Sequence, residues 1–352
     1  MGGIMTNRIV GIDISSWGIR AVEMADATKP RPSIVRFASI LLPEGAVVRG
    51  EVVEPSTVAT ALRQLWANGK FTSKDVVLGV GNHRVLARDL SVPRMSMQRI
   101  RESLPFQVQE MLPVAVEDAL LDFYPVSESQ TDQGLMVNGL LIAAVKESVV
   151  ANVRATELAG LSPTEVDLIP FALTRALLRG SNSVGTVAII DMGASTTTVV
   201  IAVDGVPQFV RIIATGGSDI TEAIKADLHL TVEQAETAKR ALGLTTVGVA
   251  IENRPIVEVI YHVAGELLNS LRNTLTYFAA SRPPQQQVRS IVLTGGAALL
   301  IGFADALTES TRIPVTFGNP IEALSVRRNF AADTSTVDSA TVAIGLALGS
   351  AA

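Results

Sequence analysis

Two short stretches place acids and hydroxyls where a buried strand needs neither. "AIIDMGASTTTVVIAVDG" (188–205) separates two apolar runs with Asp191, Gly193, Ser195 and three threonines. "RIVGIDISSWGIRAVEM" (8–24) does the same with Asp13, Ser15 and Ser16. A tight turn of glycine, serine and threonine points backbone N–H groups outward. Such a turn is an anion nest able to cradle phosphates, with the hydroxyls as further donors. A carboxylate beside a polyphosphate repels it unless a divalent cation lies between. Magnesium takes oxygen ligands and keeps several waters, so Asp13 and Asp191, one from each stretch, fit a water-mediated metal site. No Walker sequence is present, which sets aside a P-loop. Either stretch alone also reads as a plain polar hairpin turn; their pairing favours the phosphate reading.

Two other stretches suit the same ligand. "VLTGGAAL" (292–299) is a strand, a glycine pair and a helix start, which lets backbone approach a flat group closely. An ordinary strand-to-helix turn would look alike. "EQAETAKRALG" (233–243) puts Glu236 and Lys239 on one helix face. They read either as a polar clip on an adenosine or as a surface ion pair.

The elements that must position these residues follow from the pattern of the chain. At 352 residues, about two domains of ordinary size are expected. An apolar fraction of 48% with 18% charged residues argues for a large core and against disorder. The net charge of −5, the lack of long basic runs and the scarcity of aromatics speak against nucleic acid as a partner. With no cysteines, disulfides and thiol chemistry are excluded. His83, His229 and His262 have no metal-ligand spacing. "MGGIMT" fits a loose myristoylation pattern, taken here as coincidence. No signal peptide and no membrane-length apolar run is expected, which predicts a cytoplasmic protein.

Strands are predicted at 8–24 (two, around a turn), 33–42, 75–81 and 83–93. The stretch 55–71 has helical spacing, with Ser56 as its N-cap and Asn68-Gly69 as its stop. "MSMQRIRESLPFQVQEMLP" reads as a helix that Pro105 kinks or breaks and Pro113 ends. Two strands flank a polar loop, "SESQTDQG" (127–134), and a helix ends near Gly160. A strand and helix at 162–181 precede the second hairpin, and 217–280 reads as largely helical. Asp13 and Asp191 sit at matching points 178 residues apart, which suggests two similar α/β halves facing each other.

These pieces, in this order, resemble the actin-like ATPase superfamily. "GIDISSWGIRAVEM" and "IIDMGASTTTVVI" resemble its two phosphate hairpins, "VLTGGAAL" its adenosine loop, and "VDLIPFALTRAL" and "DSATVAIGLALGS" its connecting helices. The segment 83–157 is similar to the extra subdomain of FtsA-like proteins. "RIRESLPFQVQEMLPVAVEDALLDFYPV", "ATGGSDITEAI", "AETAKRALGL" and "AIGLALG" bring the resemblance closer to the PilM family of type IV pilus assembly.

The resemblance implies an α/β chain with an actin-like two-domain fold, two RNase H-like halves and an inserted α+β subdomain. The first domain would take 8–82 and 158–185, the insert 83–157 and the second domain 186–325, with a helical subdomain at about 217–285. Residues 326–352 would return to the first domain. It implies ATP or ADP with magnesium on Asp13 and Asp191. Ser15, Ser16, Gly193, Ala194, Ser195 and Thr196 would line the phosphates. Gly216 and Gly217 would sit by the ribose and phosphates, Glu236 and Lys239 by the adenosine, and Gly295, Gly296 and Ala297 at its base.

In several superfamily members a glutamate or glutamine before the proline of the first connecting helix positions the attacking water. Ile169 stands there, with Asp167 nearby, so slow or absent hydrolysis is expected. As partner the resemblance implies the N-terminal cytoplasmic tail of a PilN-like inner-membrane protein, with the membrane reached only through it, and it allows self-association into rings or filaments. The alternatives are an FtsA-like cell-division tether, whose C-terminal membrane helix is not expected here, and a small-molecule kinase of the same superfamily.

Overall fold

The computed structural model describes residues 8–349 except 30, 133, 246 and 327–338. The "MGGIMT" pattern, and residues 327–338 and 350–352 of the expected closing segment, lie outside the described residues.

The chain builds two sheets on one plan. In the first, β1 (Arg8–Ile14), β2 (Gly18–Ala25) and β3 (Ser33–Leu41) form an antiparallel meander. A hairpin of β4 (Val47–Val48) and β5 (Glu51–Val52) and helix α1 (Pro55–Gly69) follow. The chain then returns to lay β6 (Asp75–Val80) parallel to β1. The second sheet repeats this with β11 (Thr186–Met192), β12 (Thr197–Val203) and β13 (Val206–Ile213) antiparallel, and β14 (Ser290–Thr294) parallel to β11. Each sheet gains a further parallel strand, β10 (Ser162–Leu168) beside β6 and β15 (Val315–Phe317) beside β14. A short β16 (Ser325–Val326) edges the first. The central strands are apolar on both sides because helices cover both faces.

Between the sheets lie α4 (Ile169–Leu177) and α9 (Thr341–Ala347). Their Ala172, Leu173, Ile344 and Leu346 share one core with Val22 and Met24 of the first sheet and Ile189 and Val200 of the second. The helices cross closely: a Cβ on Gly345 would lie 2.0 Å from the Ala172 carbonyl oxygen. Outside the first sheet, α1 and α3 (Lys146–Leu158) close a second core around Leu62, Leu65 and Ala155. Outside the second, α5 (Gly217–Leu228), α6 (Val232–Leu242), the long α7 (Arg254–Ala280) and α8 (Phe303–Thr311) close a third, with Ile224, Ala235, Leu271 and Phe303 buried.

A three-stranded sheet interrupts the first half: β7 (Val85–Pro93), β8 (Ala119–Thr131) and β9 (Gly134–Val145), ordered β7-β9-β8 and covered by α2 (Met97–Gln107). Its own core holds Val92, Ile100, Leu104, Phe123 and Leu141.

The structure corrects several local expectations. The N-cap of α1 is Glu54, not Ser56, because Pro55 occupies the first turn and its fixed φ starts the helix. "SESQTDQG" is mostly strand: Ser127 to Thr131 pair with Asn138 to Gly134. The arm Ser127 to Thr131 is polar on both faces, so its period-two signal is missing while the backbone ladder still forms. Helix α3 turns its apolar face to α1 rather than to the three-stranded sheet it follows in sequence. Among the described residues no helix is long and apolar enough to cross a membrane.

Candidate functional site

The two hairpin turns are built alike. Asp13 and Asp191 are each the sixth residue of a seven-residue strand. Two residues on, Ser15 N–H donates to the Gly18 carbonyl at 3.0 Å, and Gly193 N–H donates to the Thr196 carbonyl at 2.9 Å. The turns meet across the cleft, where the Ser16 and Ser195 hydroxyls lie 3.0 Å apart.

Between them is a cavity of about 330 Å³. It is lined by Asp13, Ser15, Ser16, Asp191, Gly193, Ala194, Ser195, Thr196, Gly217, Glu236, Lys239, Gly295, Gly296 and Ala297, so all but one of the expected site residues border it. The exception, Gly216, lies behind the wall. Its N–H donates to Asp219 Oδ2 at 2.8 Å, and a Cβ there would come within 2.5 Å of the Ala194 carbonyl oxygen. The first amides of α5 are engaged too: Gly217 N–H donates to Gly193 O at 2.9 Å and Ser218 N–H to Ala194 O at 2.7 Å. These bonds hold the 193–196 turn against the helix. Gly295 is required for close approach. With φ at +95°, its Cβ would lie 2.4 Å from the Met192 carbonyl oxygen and 2.6 Å from Asp191 Oδ1.

The electrostatics of the two aspartates differ. Arg20 stands opposite Asp13 in the hairpin register and approaches its carboxylate at 3.4 Å, also reaching Ser15 Oγ at 3.4 Å. Burial raises the pKa of Asp13 all the same, with Arg20 opposing. The Asp191 carboxyl has no hydrogen bond or ion pair among the described residues, although its backbone pairs with both neighbouring strands. Burial, reinforced by the charge of Asp13, pushes its carboxyl up to about 7. Two such carboxylates lining one cavity could share a cation, whose charge would favour their ionised forms. Among the described residues no group of three or more His, Asp or Glu could cage a metal. Asp13 and Asp191 are the residues that could hold a magnesium ion, through waters and ligand oxygens.

At the other end of the cavity, Lys239 Nζ donates to the Gly217 carbonyl at 2.9 Å and Thr221 Oγ1 at 2.8 Å, and pairs with Glu236 at 2.6 Å. Its three donors are thus all engaged. Burial lowers Lys239, and Glu236 only partly offsets this. Burial would raise Glu236, but hydrogen bonds from Lys239, Thr221 and Arg240 outweigh it and hold the carboxyl at about 2. The carboxylate has lone pairs left for a hydroxyl donor from a ligand.

Ile169 also lines the cavity and packs over Gly81, whose Cβ would lie 2.7 Å from Ile169 Cβ. Asp167 is engaged elsewhere. It pairs with Arg175, which also donates to the Gly345 carbonyl.

Sequence reasoning missed Arg20, Asn82, Asn152 and Arg240 in this lining. Arg20 was recoverable, since a four-residue turn, Ser15 to Gly18, pairs Ile14 with Ile19 and so places it opposite Asp13. Asn82 and Asn152 carry no sequence signal; Asn152 Oδ1 is buried without a hydrogen-bond partner.

The sequence matches the family described as type IV pilus assembly protein PilM over residues 11–351. The chain belongs to that family. A solved PilM-PilN type IV pilus biogenesis complex contains a chain 28% identical to this one, with a TM-score of 0.85 and 97% of each chain covered. The PilM fold is shared more widely. MreB5 of Spiroplasma citri bound to ADP superposes with a TM-score of 0.56 over 97% of this chain and 95% of its own, at 12% identity, a likeness of fold. Cell division protein FtsA of Bacillus subtilis is 23% identical over 66% of this chain and 58% of its own length. This PilM-family chain spans about half the length of the curated relatives it matches.

Proposed function

We propose that this chain is an ATP-binding, actin-like scaffold of type IV pilus assembly that receives the N-terminal cytoplasmic tail of a PilN-like inner-membrane protein. The observation that carries the nucleotide part is the pair of mirrored turns that bring Asp13 and Asp191 to one cavity. In this reading Ser15, Ser16 and residues 193–196 hold the phosphates, and Glu236 accepts from the ribose. Gly295, Gly296 and Ala297 floor the base. Asp13 and Asp191 hold magnesium through water, and the ion neutralises the phosphates that the carboxylates would otherwise repel. ATP or ADP would occupy the site. Ile169 offers no group to orient water, and Asp167 is committed to Arg175, which supports binding with little or no turnover.

The partner assignment is supported by the likeness to the chain in the PilM-PilN complex. An extended tail would add its backbone at a strand edge and seat apolar side chains in pockets. Attachment to the membrane then comes through the partner. Thermal unfolding tests the nucleotide part: a ligand that binds only the native state raises the midpoint. Mg-ATP is expected to do so, and an unchanged midpoint at millimolar Mg-ATP would overturn the reading. Capture by an immobilised PilN tail peptide, with a scrambled peptide as control, tests the partner.

A further inference from the structure

One wall of the cleft is a hairpin that the sequence gives little reason to notice. β4 and β5 pair Val47 with Val52 and Val48 with Glu51, leaving Arg49 and Gly50 as the turn. Both have positive φ, +49° and +79°. Two-residue hairpins favour that mirror-image turn, but its first position ordinarily takes Asn, Asp or Gly. An arginine there is in a backbone region that long side chains seldom adopt.

Its guanidinium reaches across the cleft to the second half. Nη1 donates to the Ala214 carbonyl at 3.3 Å, and Nη2 pairs with Asp219 Oδ1 at 3.4 Å. Asp219 is the residue whose other oxygen accepts the Gly216 N–H and so fixes the entry to α5. Next to Arg49, Gly50 N–H donates to Ser16 Oγ at 3.2 Å, the hydroxyl that meets Ser195. On the other side, Glu51 accepts from Arg84 Nε at 2.8 Å and has His83 Nε2 at 3.8 Å. Those two residues carry the chain into the three-stranded insert. Beside them, Asn82 Nδ2 donates to Ser148 Oγ at 2.8 Å, tying the turn that leads into the insert to the helix that leaves it. Arg49, Gly50 and Glu51 therefore touch the second half, the first phosphate turn and the stem of the insert.

We propose that Arg49 is a latch on the cleft: its cross-lobe pairing with Asp219 slows the escape of a phosphorylated ligand, and the β4–β5 hairpin carries occupancy to the insert's stem. This rests on the nucleotide reading above. Arg49 acts as a positioning residue; the cavity itself is bordered by Gly50. The Arg49 side chain is about half exposed, so its pairing with Asp219 acts on dissociation more than on global stability.

The test measures release of a fluorescent ATP analogue, with magnesium, by rapid mixing with excess ATP. Wild type is compared with Arg49→Gln, Arg49→Lys and Arg49→Gly. Arg49→Gln is expected to release the analogue about two- to five-fold faster. Arg49→Lys should recover part of the difference. Arg49→Gly removes the guanidinium while suiting the turn, so its faster release cannot be laid to misfolding. In parallel, amide exchange at residues 82–85 should slow on nucleotide binding in wild type and not in Arg49→Gln. If wild type neither binds the analogue nor is stabilised by Mg-ATP, the nucleotide reading fails and the latch with it. If wild type binds and Arg49→Gln releases at the wild-type rate, the latch alone is wrong.

Discussion

Asp13 and Asp191 occupy the same place in two strands of equal length, and both border one cavity. They are not electrostatically equal. Arg20 faces Asp13, whereas the Asp191 carboxyl stands without a partner among the described residues and is pushed up to about 7.

That asymmetry predicts a pH dependence with a definite sign. An acid whose folded pKa lies above its unfolded value binds more protons in the native state, so stability falls as pH rises between the two values. For Asp191 the window runs from about 4 to about 7. Asp191→Asn removes the ionisation. Its ligand-free midpoint should exceed that of wild type by about 2 °C at pH 7.5, with the gap closing toward pH 5. The stabilisation of wild type by Mg-ATP should grow from pH 5.5 to 8, as the proton ceases to compete with the cation. Asp191→Ala should abolish it. Scanning calorimetry across that range checks all three, and a Mg-ATP shift independent of pH in wild type would refute the assignment.

Hydrolysis is expected to be slow. In the proposed reading Ile169 stands where water would be oriented; it packs over Gly81, and Asp167 is held by Arg175. Phosphate release by purified protein with Mg-ATP should stay below about 10⁻³ s⁻¹, the range of nucleotide sites lacking a completed hydrolytic set. Sustained multiple turnover that disappears in Asp191→Ala would show that another group activates water.

The Glu236 network makes the opposite pH prediction. Its carboxyl is held at about 2 by Lys239, Thr221 and Arg240 against the cost of burial. A depressed acid contributes stability that is present above about 4.5 and is lost as pH falls toward 2. Urea unfolding of wild type should therefore lose stability between pH 5.5 and 3. Glu236→Gln should be less stable at pH 5.5 by about 1–2 kcal/mol and lose less on acidification. Parallel acid profiles for the two proteins would remove Glu236 from the balance.

Much of this site is legible in the sequence because its determinants are local. A buried strand, an acid near its end and a turn carrying serine and glycine follow in immediate succession, twice. The glycine pair at 295–296 and the helix carrying Glu236 and Lys239 follow the same logic. What was not legible depends on long-range approach. Asn82 and Asn152 face the cavity only because the turn leading into the insert and the helix leaving it are brought together. Arg49 reaches Asp219, 170 residues away, from a turn too short to show any periodicity. Helix α3 follows the insert in sequence, but its Ala155 is buried in the core under α1, a choice of face its weak amphipathic pattern does not announce.

The crossing of α4 and α9 supplies a contrast between two glycines in helices. At Gly345 an added Cβ would lie 2.0 Å from the Ala172 carbonyl oxygen, and backbone rather than a flexible side chain is what it meets. At Gly265, inside α7, nothing lies within 4 Å of the position a Cβ would take. The two substitutions by alanine should therefore differ in sign. Gly345→Ala must spread the helices that join the two halves, at a cost of about 2–3 kcal/mol. Gly265→Ala removes backbone freedom from the unfolded chain without a clash and should stabilise by about 0.5–1 kcal/mol. Because α4 and α9 lie between the sheets, Gly345→Ala should also weaken the stabilisation by Mg-ATP, while Gly265→Ala leaves it unchanged. Urea midpoints and thermal shifts of both variants decide the point. Equal destabilisation of the two would mean that helix propensity is not the determinant at Gly265, and a neutral Gly345→Ala would mean the helices have room to part.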